Sequence, residues 1–462
     1  MPESAGYSRP PSPSLRRRVF ELAWPVILEN LLQTMLGIVD TLMVGRLGAD
    51  ALAGVGTAQQ LLFFLIAILS AVSIGSSVIA AHAIGAKDTG TASKIAKQSI
   101  IWALLLAVPL ATLGAIFARN LIAVMGVTDA VALIGGDYLR VTMLAGVFLV
   151  VPFTVGAVLR GAGDTRTPLA ATTIANLVNA VVAYLLIFGA LGAPALGPVG
   201  SAWGAAAGRL VSCVILLVAL YRGRLGFSIR GRLGWRPESG LARRVIALGA
   251  PAALEQIATS AGFLLMTVFV AELGTDALAA SRVVGNVLGI SLLPGFGFGI
   301  AATALVGQSL GAATPEDGEA ATGIATQWAL VWMGILGAFF IVLRTPLSAA
   351  FTSDQTVVQI AADCMIPLGL TQPLWAISFV NAGGLRGAGN TRYPLAMTIV
   401  GIWGTTALSV VTIGVLHLGL AYVWGGFLVF SPIASYLTWR RFKRGDWKAT
   451  RLAPAPLPAA AG

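Results

Sequence analysis

Asp40 sits about twenty residues into the first long apolar run of the chain, and an ionisable group that deep in hydrocarbon is costly enough to be functional by default. Glu29 precedes it by eleven residues. At about 100° per residue, eleven steps make three turns plus only ~20°, so both carboxylates share one helix face over about 16 Å, with Gln33 and Gly37 near the same stripe. Such a polar line turns toward protein or a water-filled cavity and away from lipid. A lone carboxylate there can take up and release a proton, and when ionised it can attract a cation. Asn176 and Asn179, three residues apart in a later apolar run, point from nearly one helix face, and either could hydrogen-bond Asp40. Together Asp40, Asn176 and Asn179 form a candidate cation-coupling group, to which a proton or a sodium ion could bind.

One constant offset lays the second half of the chain on the first without a gap. Pro25 falls on Pro251, Glu29 on Glu255, and LRGAGDTRTPL (Leu159 to Leu169) on LRGAGNTRYPL (Leu385 to Leu395). A single register held over this distance marks a duplicated unit. The coupling residues, however, belong to the first copy: Asp40 maps onto Met266, Asn176 onto Ile402 and Asn179 onto Thr405. Glu29 and Glu255 are a symmetric pair suited to lining or closing the cytoplasmic side of a central cleft, alongside Gln33. Arg209 lies deep in its apolar run and needs an acidic partner, for which Glu29 is a candidate. Pro25, Pro251 and Pro294 each remove a backbone hydrogen bond inside an apolar run, which makes them candidate hinges.

These residues require elements that cross a membrane. The chain has 462 residues, 57% hydrophobic and 11% charged, with a mean hydropathy of +0.85, which excludes an ordinary soluble domain. Twelve apolar runs, six per copy, are each long enough for ~30 Å of hydrocarbon. Their continuity favours self-satisfied helices over the alternating strands of a barrel. The expected fold is an all-α integral membrane protein of twelve transmembrane helices in two pseudo-symmetric six-helix bundles. Six is an even number, so the copies are parallel repeats about an axis along the membrane normal, an arrangement suited to rocking around a central site. The expected organisation is a disordered N-terminus over 1–18, an N-lobe over 19–221 and a linker over 222–243. A C-lobe over 244–442 and a tail over 443–462 follow.

The formal charge of +11 does not indicate nucleic acid, because Lys and Arg concentrate on alternate loops, including Arg16 to Arg18, Lys87, Arg230 and Arg440. Arg160 and Arg166, with Arg386 and Arg392, belong by position to cytoplasmic turns of the same set. That is the positive-inside pattern, and it places both termini in the cytoplasm. Cys213 and Cys364 both lie in apolar runs, so neither a disulfide framework nor a cysteine metal site is expected. The chain carries no phosphate loop, zinc-protease motif or nucleophile elbow, so an ATP-driven pump or a hydrolase is not expected. No enzyme activity, cofactor or resident metal is expected. Lipids and small organic molecules are the expected partners, and the chain is expected to act as a monomer.

At this point WPVILENLLQTMLGIVDTLMVGRLGADALAGVG (Trp24 to Gly56), NLVNAVVAYLLIFG (Asn176 to Gly189), PGFGFGIAATALVGQSLGA (Pro294 to Ala312) and the two LRGAG segments carry a resemblance. Over nearly its whole length the chain resembles the multidrug and toxic-compound extrusion (MATE) transporters. The resemblance implies an inner-membrane antiporter that exchanges protons or sodium for bulky cationic or amphiphilic compounds by alternating access. It also implies that Asp40 is the ion site of the N-lobe. Many members carry a second aspartate where this chain has Ala183, and sodium-type members of the NorM kind carry C-lobe acids at positions aligned with Thr259 and Trp375. Both departures favour protons and a DinF-like pattern over sodium coupling. A flippase for lipid-linked precursors is the alternative, and it should line the cleft with basic residues; Arg140, Arg209 and Arg282 are the intramembrane candidates. Single cysteines placed at Ala193 and Arg230 test the orientation: an impermeant maleimide added outside cells should label the first and spare the second. Labelling of both would refute twelve spans.

Overall fold

In a membrane every backbone polar group needs an internal partner, and the chain meets this with helices throughout. The structure, a computed structural model, describes residues 13–223 and 226–450, and these are helical apart from turns and loops. The first lobe contains α1 (Pro13–Gly45), α2 (Ala49–Gly85), α3 (Thr89–Ile116), α4 (Asp129–Leu144 and Gly146–Gly161), α5 (Arg166–Phe188) and α6 (Pro198–Arg222). The two halves of α4 meet at a 54° bend. The second lobe contains α7 (Ser239–Ala271), α8 (Thr275–Gly311), α9 (Pro315–Val342), α10 (Gln355–Gly387), α11 (Arg392–Gly414) and α12 (Leu420–Lys443). Counting the bent α4 as one span, twelve helices among the described residues are long and apolar enough to cross a membrane, as the sequence indicates.

The duplication extends to helix ends. Every boundary from α1 to α5, including the short helix Ala118–Ala123, recurs in the second lobe at the offset that carries Pro25 onto Pro251. The register slips only at the last span, which begins at Leu420 rather than at the equivalent of Pro198. The copies do differ within their helices. α4 breaks at Ala145, while its counterpart α10 is continuous. Conversely α2 is continuous, while α8 is interrupted at Leu292, shortly before Pro294. α11 also carries a π-helical segment, Ile399–Trp403, where α5 is regular.

Two expected boundaries shift. α1 begins at Pro13, so 13–18 is helical and not disordered; residues 1–12 lie outside the described part. α7 starts at Ser239, ahead of the expected lobe boundary at 244. The linker is also held against α3: the Lys97 ammonium donates to the Arg230, Gly231 and Leu233 carbonyls, and the Gln98 amide donates to those of Gly234 and Arg236. After α12 the chain turns back so that Trp447 stacks on Phe442 at 4.8 Å, while residues 451–462 lie outside the described part.

Both described termini lie on one face of the bundle, since the number of spans is even; this is the terminal face. The halves of α1 and α7 nearest that face cross onto the opposite lobe. Val19, Leu22 and Ala23 join a core with Phe298, Ala301 and Met333, and Val245 joins Leu69 and Val72. Pro25 and Pro251 both lie in these crossing halves, inside unbroken helices. If Pro25 lets α1 bend, Pro25→Ala should lower export several-fold at matched expression and restore one backbone bond. Unchanged transport would make it a passive residue.

Candidate functional site

The two carboxylates of the α1 stripe face the interior of the N-lobe, and each has its own partners there. Near the terminal end, Glu29 accepts from the Arg160 guanidinium with both oxygens, at 3.2 and 3.3 Å, and from the Thr172 hydroxyl at 3.2 Å. Further along, the Asn176 amide donates to the Leu32 carbonyl at 2.9 Å. At the far end, the Ser201 hydroxyl of α6 lies 2.9 and 2.8 Å from the two oxygens of Asp40. Gln33 is exposed.

Asp40 is therefore bonded to Ser201 and to neither asparagine. Asn176 ties α5 to the α1 backbone, and the buried Asn179 leaves its side-chain oxygen without a partner among the described residues. Tyr138 of α4, 2% exposed, completes the group by meeting Ser201 and Gln59. Arg209, one of whose terminal nitrogens is also buried without a described partner, lies within electrostatic reach of Asp40 and Tyr138. The partner suggested for it by sequence, Glu29, is taken by Arg160. The spans α1, α4, α5 and α6 thus supply Asp40, Tyr138, Asn179, Ser201 and Arg209, and α2 adds Gln59.

The second lobe repeats the ion pair of Glu29 and omits the Asp40 group. Glu255 accepts from Arg386 at 2.6 Å and from the Thr398 hydroxyl at 3.0 Å. Arg386 and Thr398 are the repeat equivalents of Arg160 and Thr172, so the Glu–Arg–Thr unit is duplicated whole. Both arginines lie in the last turns of their helices, α4 and α10. They are not turn residues, as their positions suggest; each folds inward, and Arg160 runs back to within 3.3 Å of a Cβ position on Gly156. Their identity in both copies is the signal that could have paired them with the two glutamates. At the position of Asp40 the second lobe has Met266, buried in its core.

Between the lobes lies a cavity of about 450 Å³ lined by residues of both. Its walls are mostly apolar and aromatic: Phe296 packs on Phe379 at 4.9 Å, and Trp375 meets Phe427 edge-on at 5.4 Å. Glu255, Arg386 and Arg160 form its charged part. Thr259 and Trp375, at the positions where sodium-type relatives are expected to carry acids, line it as well. Pro294 lies beside the break in α8, whose adjoining residues Leu292 and Phe296 reach the same wall.

A duplicated two-lobed helical membrane protein with a cavity between its lobes is a transporter architecture. The MatE family model matches residues 25–185 and 251–423, one block in each lobe. The chain is 31% identical over 441 residues to a probable multidrug resistance protein NorM of Thermotoga maritima, covering 94% of each. It is 27% identical over 403 residues to the multidrug resistance protein PmpM of Pseudomonas aeruginosa, covering 84% of this chain and 82% of that one. A solved structure described as the outward-facing conformation of a multidrug resistance MATE family transporter of the MOP superfamily superposes with a TM-score of 0.87. That match is 21% identical and covers 96% of this chain and 98% of the other. The chain belongs to the MatE family, as its motifs indicate.

Removing one member of a part-buried ion pair leaves a charge uncompensated, while removing both is often close to neutral. Arg386→Met should therefore lower the melting temperature of the purified protein. Adding Glu255→Gln should recover much of the loss. Equal losses in single and double variants would show that the pair is not coupled.

Proposed function

We propose that this chain is a secondary antiporter of the inner membrane that exports cationic or amphiphilic small molecules in exchange for protons, as a monomer with both termini in the cytoplasm. The observation that carries the reading is the Asp40 group: one buried carboxylate held by a hydroxyl, with a guanidinium in electrostatic reach. A proton needs a single lone pair on Asp40. A sodium ion needs several oxygen ligands and would enter a site where Arg209 already offsets the carboxylate charge. The unpartnered atoms of Asn179 and Arg209 give Asp40 alternative neighbours in its two charge states, and such differential interaction is what a driven switch requires.

The cavity supports the substrate side. Its volume falls within the range of drug-sized sites, roughly 300–1,000 Å³, and aromatic walls suit flat or greasy cations. The names of the two curated relatives, both multidrug resistance proteins, favour the same class. The flippase alternative gains two basic residues that sequence does not offer it, Arg160 and Arg386. Each is already neutralised by a glutamate, with contacts of 2.6 to 3.3 Å. An anionic headgroup would have to displace Glu255 or Glu29, so this is the weaker reading.

Asp40→Asn mimics the neutral carboxyl and should reduce proton-driven export to background in proteoliposomes, with folded protein retained and no dependence on sodium. Glu255→Gln should reduce it only in part. Ethidium export by Asp40→Asn at the wild-type rate would sink the reading and move the coupling site to Glu29.

A further inference from the structure

His82 and Gln308 occupy the same position in the two copies, near the ends of α2 and α8, and both are buried. Each crosses the lobe boundary. The His82 Nε2 lies 2.9 Å from the Gly387 carbonyl of the second lobe. The Gln308 amide donates, also at 2.9 Å, to the Gly161 carbonyl of the first. Gly161 and Gly387 are themselves repeat equivalents. Two different side chains thus make one reciprocal pair of bonds about the pseudo-two-fold axis.

The backbones approach at the same level. A Cβ on Gly85 would overlap the Gln308 carbonyl oxygen, and a Cβ on Gly311 would overlap that of His82. Only glycine permits this approach, which brings both side chains within reach of the opposite lobe. The Arg18 guanidinium of α1 adds a third contact, donating to the Gln308 side-chain oxygen at 2.6 Å. All of these groups lie on the terminal face. Gly161 and Gly387 directly follow Arg160 and Arg386, whose side chains line the cavity.

We propose that His82 and Gln308 form a two-fold clasp that holds the lobes closed at the terminal face, and that the transport cycle opens this face by releasing both bonds. They are positioning residues: neither is among the residues lining the cavity. One peptide joins each accepting carbonyl to an arginine of the cavity wall, so a substrate that moves either arginine also shifts a clasp acceptor. The proposal rests on lobe movement and is independent of whether Asp40 binds the coupling proton.

The test uses the full-length protein with Cys213 and Cys364 replaced by alanine and a single reporter, Ala382→Cys, in the cavity wall. Vesicles with the terminal face outward are treated with a membrane-impermeant maleimide, without substrate or ion gradient. A buried hydrogen bond of ordinary strength shifts an equilibrium by about five-fold. His82→Ala and Gln308→Ala should each raise the labelling rate by about that factor, and together by more. His82→Gln should keep the parental rate, because glutamine already makes this bond at the mirror position. The exchange His82→Gln with Gln308→His should do the same. Alanine variants that label at the parental rate overturn the clasp. So does a folded His82→Gln protein that labels several-fold faster than the parent. Should His82→Ala fail to fold, Gln308→Ala and the glutamine variant decide the question.

Discussion

A carboxylate inside a membrane span requires a partner, and the arrangement of both lobes follows from how that requirement is met. Glu29 and Glu255 each take an arginine from the end of the fourth span of their lobe and a threonine from the start of the fifth. Three helices are thereby fixed at one point in each lobe. Arg160 and Arg386 can serve only if the LRGAG segment turns them inward, and the glycines of that segment then come to lie at the contact between lobes. Charge neutralisation and lobe contact are thus neighbouring consequences of one duplicated motif. The pairs are weak evidence for stability, since the desolvation of two charges offsets most of their attraction. Their clearer physical effect is to fix which helix ends meet.

Symmetry stops where the stripe of α1 continues past Glu29. Beyond that point the first lobe offers Asp40, Ser201, Tyr138 and Arg209, while the second buries Met266 among apolar side chains. The asparagine that ties α5 to α1, Asn176, is replaced by Ile402, which lies in the π-helical segment of α11 and lines the cavity. A π segment inserts an extra residue into a helical turn and commonly marks a functional site. The duplicated scaffold has therefore been specialised in opposite directions, toward a polar interior in one lobe and an aromatic wall in the other.

Much of this was legible in sequence because the repeat register constrains both copies at once. It revealed the spans, the parallel arrangement of the lobes and the one-sided placement of Asp40. Side-chain partners were less legible, because they depend on direction as well as position. Arg160 looks like a loop residue by its place after an apolar run, yet a long side chain at a helix end can lie back along its own helix. Asn176 and Asn179 share a helix face in sequence, but the backbone of α1 passes close enough for Asn176 to take the Leu32 carbonyl. Ser201 carries no sequence signal, being a small hydroxyl residue in an Ala- and Gly-rich helix. His82 looks isolated in sequence because its counterpart in the second copy is glutamine, and only geometry shows that the two make one contact.

The helix α1 connects these features mechanically. It runs unbroken from Arg18, which touches Gln308, through Glu29 to Asp40, a rise of about 33 Å at 1.5 Å per residue. Its terminal half packs on the second lobe and its far half on the first. A change of charge at Asp40 alters what holds the far half. A change at the terminal face alters what holds the near half. A single continuous element held in two places by two lobes is the kind of body through which distant sites can bias one equilibrium. The mirror helix α7 has the same crossing half and the same glutamate but Met266 in place of Asp40, so its far half carries no carboxylate. The proposed coupling therefore needs a carboxylate in the far half of only one of the two crossing helices, and the asymmetry of the sequence supplies it at Asp40.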